Sequence, residues 1–392
     1  MQIFFSAGEP SGDEHAAHLI QELRRRNPTI SMCGFGGPEM AAAGCSLLFE
    51  LTQLAVMGFL RVIPLLARFR QLVIQAERRF DESPPDAVVL VDFPGFNWWI
   101  ARAAKKRGIP VFYYLPPQLW AWAPWRISRV RRWVDHVICA LPFEYDWYAE
   151  RGVAATWVGH PFFDEVAAET PDAALVDDIR GSASGRPVIA VLPGSRGHEV
   201  DKNFPVMLEV MKRVSAEVPG VRWVVGNYRD EHRGKCQELQ NQCQAVSDIT
   251  YYVGRTSECI EAADCCLMVS GSISLELLAR HKPGIVLYRV PRIGRLASRV
   301  LMTCRYITLT NLIAGWDVMP EFISCGSPEN DIRRMTDCLT RWCADPVSLQ
   351  NRVADIKALA EKYAVTGATT RTADLLLQQL MADNAIQEIR AA

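Results

Sequence analysis

The 392-residue sequence lacks an excess of either charge, with 43 lysines and arginines against 44 aspartates and glutamates. That balance removes the electrostatic footprint of a nucleic-acid protein, so any basic surface has to be local. No basic stretch followed by an apolar signal core opens the chain, because Met1-Gln2 runs straight into Ile3-Phe4-Phe5. Nor does any uncharged apolar run approach the ~20 residues that span a bilayer. Together these absences predict a protein made and kept in the cytoplasm. Cys-x-x-Cys is missing although there are 12 cysteines; Cys265 and Cys266 are adjacent and several others fall in apolar runs. Buried free thiols in a reducing compartment are therefore expected. Asp-x-Asp is missing as well, so a metal bridging a nucleotide diphosphate has no evident carboxylate anchor.

What is present is an alternation of short apolar runs with amphipathic stretches, the pattern of α/β proteins with doubly wound parallel sheets. Strands are expected at 3–5, 31–35, 87–91, 111–115, 136–140 and 156–158, with helices at 63–80 and 98–107 between them. The alternation lapses over 164–186, which is polar and rich in Ala, Asp, Ser and Gly and reads as a linker. A second series follows at 188–192, 221–225, 249–253, 265–269 and 284–288, and the chain looks wholly helical from Ser327 onward. The expected organisation is a first domain over 1–163, the linker, and a second domain over 187–345. Helices over 346–392 would then cross back to the first domain or pack on a second subunit. Two similar halves with a cleft between them follow.

The first apolar run leads into Ser6-Ala7-Gly8-Glu9-Pro10-Ser11-Gly12-Asp13-Glu14. Ser11 and Glu14 have capping-box spacing, so a helix is expected to start at Ser11 behind a glycine loop. The loop is either a binding loop at a strand's carboxyl end or an ordinary connection. A second loop, Pro193-Gly194-Ser195-Arg196-Gly197, follows the run 188–192. Small residues let backbone amides approach an anion, and a guanidinium adds a fork for phosphate oxygens. A third, Ser270-Gly271-Ser272, opens a helix and sets Glu276 one turn in, where a carboxylate suits the two hydroxyls of a ribose. Two such loops on one sheet point to a nucleotide diphosphate. In the first half, Val88-Val89-Leu90-Val91 delivers Asp92 to a strand end, where it acts as a general base, caps its loop or pairs with a nearby arginine.

Three segments mix arginine with large apolar residues. They are 47–72, containing Arg61, Arg68, Arg70 and Pro64; Trp120, Trp122, Trp125 and Trp133 among Arg126, Arg129, Arg131 and Arg132; and 292–305. Indole rings favour the headgroup zone and arginines an anionic leaflet, so at least one membrane-facing patch is expected. The alternative for each segment is a core packed under a solvated basic face.

In order along nearly the whole chain, Gly8-Glu9-Pro10-Ser11-Gly12-Asp13, Leu54-Ala55-Val56-Met57-Gly58, Asp92 with Phe96-Asn97, Trp120-Ala121-Trp122 and Leu141-Pro142-Phe143-Glu144 resemble the lipid-A-disaccharide synthase family. Gly159-His160, Leu192-Pro193-Gly194-Ser195-Arg196, Ser270-Gly271-Ser272 with Leu275-Glu276, and Asn311-Leu312 continue the resemblance. It implies a GT-B type fold of two Rossmann-like domains with carboxyl-terminal helices, and a metal-independent, cofactor-free, inverting glycosyltransferase. The implied substrates are UDP-2,3-diacylglucosamine and 2,3-diacylglucosamine 1-phosphate (lipid X). The expected partners are the cytoplasmic face of the inner membrane and, where the carboxyl-terminal helices pack on a second subunit rather than cross back, another copy of the chain, with no nucleic acid. Asp92 would be the base, and Gly194, Ser195, Arg196, Gly271, Ser272, Glu276 and Asn311 would bind the UDP-sugar. Glu9, Ser11, Gly12, Asp13, Trp120 and Trp122 would line the acceptor side. Pro10, Pro117-Gln118 and Ser272 depart from the family pattern and bear on the acceptor loop. The rival readings are a UDP-N-acetylglucosamine 2-epimerase-like isomerase and a two-lobed binding protein without chemistry.

Overall fold

Seven parallel strands build the first of two units in the computed structural model, which describes residues 1–55, 62–243, 246, 248–290 and 303–391. They are β1 (Gln2–Ala7), β2 (Ser31–Gly36), β3 (Ser46–Glu50), β4 (Ala87–Val91), β5 (Val111–Tyr114), β6 (His136–Cys139) and β7 (Ala155–Trp157). Their order in the sheet is β3-β2-β1-β4-β5-β6-β7. The second unit carries β8 (Val188–Leu192), β9 (Arg222–Asn227), β10 (Ile249–Val253), β11 (Cys265–Val269), β12 (Gly284–Arg289) and β13 (Glu321–Ser324) in the order β10-β9-β8-β11-β12-β13, again all parallel. The central strands β4, β8 and β11 are buried at every residue. Helices cover both faces of such strands, which is why they read as unbroken apolar runs. The chain order reverses between β1 and β4 in the first sheet and between β8 and β11 in the second. The carboxyl ends at such a reversal diverge and leave the crevice where open α/β sheets bind ligands.

The first unit comprises Met1–Asp164 and Thr366–Ala392, and the second Glu165–Val365. The stretch read as a linker holds a helix, Ala173–Ala183, whose start is capped by Asp172 through bonds of 3.0 and 3.3 Å from the Ala174 and Leu175 amides. Its buried Ile179 and Ala183 give a helix face that the polar composition concealed. The two edge strands β3 and β13 were not expected: both are short and carry polar ends, so neither has the signature of a buried strand. The first helix starts at Pro10, not at Ser11. Proline fits the first helical position, Glu9 takes the N-cap with extended backbone and no side-chain cap, and Ser11 lies exposed in the first turn.

All the cysteines described are free, and seven of them, including Cys265 and Cys266, are buried. Among the described residues no helix is long and apolar enough to cross a membrane. Residues 56–58 of the Leu54–Gly58 motif, Arg61, the Pro64 side chain and 292–302 of the third basic segment lie outside the described residues.

The last helix, Ala368–Ala391, packs on the first unit. Ala373, Leu376 and Leu380 enter the core beside Ile3, Phe5, Leu19 and Ile20, and Arg26 pairs with Asp374. Gly367 and Thr369 donate their amides to Asp164, and the Arg371 guanidinium donates to the Val158 carbonyl at 2.8 Å, so the helix is tied at its start as well. Leu376 is fully buried. Leu376→Ala is expected to destabilise the first unit by about 2–5 kcal/mol, read as a lowered urea midpoint; a change below ~1 kcal/mol would mean the helix is not part of that core.

Candidate active site

Each reversal in strand order carries motifs singled out in the sequence. In the first sheet the register pairs Ala7 with Val91, so Gly8 and Asp92 leave adjacent strands side by side. A Cβ on Gly8 would lie 2.2 Å from the Phe93 ring, so only glycine lets the two loops meet. Asp92 and Phe93 both adopt left-handed backbone, with φ of 46° and 44°, before the helix Pro94–Lys105 begins. Such a conformation costs a non-glycine residue on the order of 1–3 kcal/mol.

A buried hydrogen-bond network holds this elbow. The Asp92 carbonyl accepts from Asn97 Nδ2 at 2.7 Å and from the Tyr113 hydroxyl at 2.8 Å. Asn97 Nδ2 also reaches the carbonyls of Ser6 at 3.1 Å and Val91 at 3.2 Å, and its Oδ1 accepts from the Ser6 hydroxyl at 2.6 Å. One amide side chain thus staples the ends of β1 and β4 to the strained turn. Burial raises the Asp92 carboxyl above the ordinary carboxylate range, opposed by the Phe93 amide and by nearby His15. The Asp92 and Glu144 charges also sense one another.

Other first-unit candidates have structural partners. Gly12 is buried against Val91 and Asp92. Asp13, expected to face ligand, is buried and accepts from the amides of Gly37 at 2.7 Å, Glu39 at 3.0 Å and Met40 at 3.2 Å. It caps the short helix Pro38–Ala42, whose unpaired amides draw a carboxylate inward. Trp120 is turned inward and donates Nε1 to Glu144 Oε1 at 2.9 Å, with its ring edge-on to Phe143. Trp122 is half exposed under the Arg126 guanidinium, and Trp125 is 66% exposed. His160 is half-buried, edge-on to His15, and loss of water around its ring foremost lowers its pKa to about 3, so it is neutral at pH 7.

In the second unit, β8 ends in the Pro193–Arg196 loop and β11 in Ser270-Gly271-Ser272, adjacent through the Leu192–Met268 pairing. Gly194 has φ of 117°, which a side chain would strain. The amides of Ser195 and Arg196, read from sequence as anion donors, both bond Glu199 Oε2 at 3.2 Å, and Arg196 Nη1 bonds Glu199 Oε1 at 3.2 Å. A carboxylate one turn into the helix Gly197–Glu217 already fills the anion position, the reciprocal capping that a Glu three residues on provides. The Arg196 side chain is still 72% exposed. Gly271 and Ser272 are exposed as well.

Glu276 is buried and Asn311 is fully enclosed. Asn311 Nδ2 donates to the Met319 carbonyl at 2.7 Å and Glu321 Oε1 at 2.9 Å, and its Oδ1 accepts from the Met319 amide at 2.8 Å. These bonds spend its donors and its acceptor on bracing the loop that carries Met319. Glu321 in turn accepts from the Ile307 and Thr308 amides, next to Ser270. Ser6, Tyr113 and Glu199 were not read from sequence as site residues. Glu199 has a legible signal, its capping spacing; a strand hydroxyl such as Tyr113 has none.

Asn97→Ala leaves buried carbonyls unpaired at about 1–3 kcal/mol each. It is expected to lower first-unit stability by roughly 2–4 kcal/mol and Tyr113→Phe by ~1 kcal/mol in urea unfolding; equal, negligible effects would remove the network as the elbow's support. Burial foremost also raises Glu144 from the ordinary 4.5 to about 7, against the bonds it accepts from Trp120 and the Leu141 amide. A raised folded pKa stabilises below the unfolded value, and the contribution is lost as pH rises through the folded one. Wild type should therefore lose up to ~3 kcal/mol relative to Glu144→Gln between pH 4 and 8. Parallel stability curves would exclude the shift.

A family described as lipid-A-disaccharide synthetase matches residues 3–339. The lipid-A-disaccharide synthase of Myxococcus xanthus is 35% identical over 97% of both chains, and that of Geobacter sulfurreducens 31% identical over 97% of both. Solved structures share the fold at low identity. UDP-GlcNAc 2-epimerase from Neisseria meningitidis, bound to UDP-GlcNAc, has a TM-score of 0.61 at 13% identity over 96% of this chain and 99% of its own. The glycotransferase of kitacinnamycin has 0.57 at 16% over 96% and 98%. With the fold of both units and the order of its motifs, the chain belongs to the lipid-A-disaccharide synthase family.

Proposed function

We propose that the protein joins 2,3-diacylglucosamine from UDP-2,3-diacylglucosamine to the 6-hydroxyl of lipid X, releasing UDP and the β-1,6-linked disaccharide 1-phosphate. The observation that carries this reading is Asp92, a carboxylate fixed on a strained elbow at the first sheet's reversal point. As base it would take the proton of the acceptor hydroxyl while that oxygen attacks the anomeric carbon from the face opposite UDP, which inverts the sugar. Its raised pKa brings the base nearer to neutral pH, and a base has to be ionised, so the acid limb of kcat/KM is expected above the ordinary carboxylate value.

The second unit would hold the donor. The exposed Arg196 guanidinium can meet a diphosphate without rearrangement, whereas the Ser195 and Arg196 amides would first have to release Glu199. Gly271 and Ser272 lie beside that loop, and Glu276 would take the ribose hydroxyls. Charge leaving with UDP would then be met by a fixed cation, with no metal required. The full-length relatives named as synthases support the transferase over the isomerase reading.

Acylated substrates call for access to a membrane. Exposed Leu66, Trp99, Trp122 and Trp125 in the first unit, with Arg126 stacked on Trp122, support peripheral attachment to the cytoplasmic face of the inner membrane.

Incubation with both substrates in detergent and excess EDTA, followed by mass spectrometry, is expected to give the tetraacyl disaccharide phosphate and one UDP per product. Loss of activity in EDTA would overturn metal independence, and an epimerised UDP-N-acetylglucosamine with an intact diacyl donor would replace the transferase. Asp92→Asn should lower turnover by at least ~10²-fold with UDP affinity retained. Arg196→Ala should weaken UDP binding about tenfold or more, and unchanged affinity would remove it from the donor site.

A further inference from the structure

Glu276 is held from two sides. Its Oε1 accepts from the Ser257 hydroxyl at 2.7 Å and from Arg280 Nε at 2.9 Å. Among the described residues both bonds end on this one oxygen. Ser257 stands on the helix Thr256–Ala262 that follows β10, and Arg280 lies one turn beyond Glu276, so the clamp joins two elements. Arg280 is itself anchored, with Nη2 3.1 Å from Glu169 Oε2 and Nη1 3.8 Å from Glu261. The Ser257 hydroxyl also lies 2.8 Å from Glu169 Oε2. Ser257, Glu276 and the Arg280 side chain are all at least nine-tenths buried.

A glutamate free to rotate would lose conformational freedom on meeting a diol and would bind it poorly. Here the rotamer is set before any ligand arrives, one oxygen is spent on the clamp, and Oε2 remains as an acceptor. We propose that Ser257 and Arg280 are positioning residues that orient Glu276 Oε2 toward the nucleotide's ribose, and so set the preference for a ribonucleoside over a deoxyribonucleoside diphosphate. This rests on the reading of Glu276 as the ribose contact.

The test is calorimetric titration of the full-length protein with UDP and with 2′,3′-dideoxy-UDP, in wild type, Glu276→Gln, Ser257→Ala and Arg280→Lys, each checked by its melting temperature. Hydrogen bonds to a charged group predict that wild type favours UDP by roughly 10–100-fold. Glu276→Gln and Ser257→Ala are each expected to reduce that ratio to about threefold or less, with Arg280→Lys between. The ratio is the readout a merely structural role would not move. A lowered melting temperature with the ratio unchanged in Ser257→Ala, while Glu276→Gln loses it, overturns the inference and leaves the ribose reading standing. No preference in wild type overturns the ribose reading and the inference with it.

Discussion

The amide of Asn97, with the Tyr113 hydroxyl, holds two consecutive left-handed residues at the end of β4, and the chemistry proposed for the protein depends on that clamp. Two such residues cost on the order of a few kcal/mol, while each hydrogen bond to the elbow returns about 1 kcal/mol net. Several bonds are needed to balance the strain, and the network supplies them by spanning β1, β4 and β5. The result is a carboxylate carried on a turn whose backbone is held rigid, at the point where the sheet's order reverses.

Acids that are buried or partly buried elsewhere show three other solutions to the same cost. Asp13 and Glu199 collect backbone amides at helix starts, Glu276 is matched by an arginine and a hydroxyl, and Glu144 moves its pKa. An acid that accepts several amides is fixed in place by them. One without a cation titrates in place, so the segment around Trp120 rests on a group whose charge changes near neutral pH.

Much of this was legible in the sequence, for reasons that differ by element. Central strands such as β4 and β8 are uniformly apolar because both faces are covered, and their limits were read to the residue. Edge strands β3 and β13 are short and begin and end on polar residues, so they look like loop. The loops at both reversal points were located from glycine, serine and arginine, since those residue types are what close approach and anion contact require. Partnerships across the sheet were not legible: nothing local tells that Asp13 caps the helix Pro38–Ala42, that Asn311 is spent on Met319 and Glu321, or that Tyr113 reaches the Asp92 carbonyl. At Pro10 two local signals competed, and the fixed φ of proline prevailed over the capping box of Ser11.

The return of the last helix to the first unit has a consequence for the order of synthesis. The second unit is one continuous stretch of chain, whereas the first is made of both ends. A ribosome adding ~5–20 residues per second delivers residue 380 roughly 10–40 s after residue 164. Through that interval the surface that later receives Ala373, Leu376 and Leu380 stays open to water, and the second unit can complete its own core first. The amino-terminal half, although translated first, is finished last.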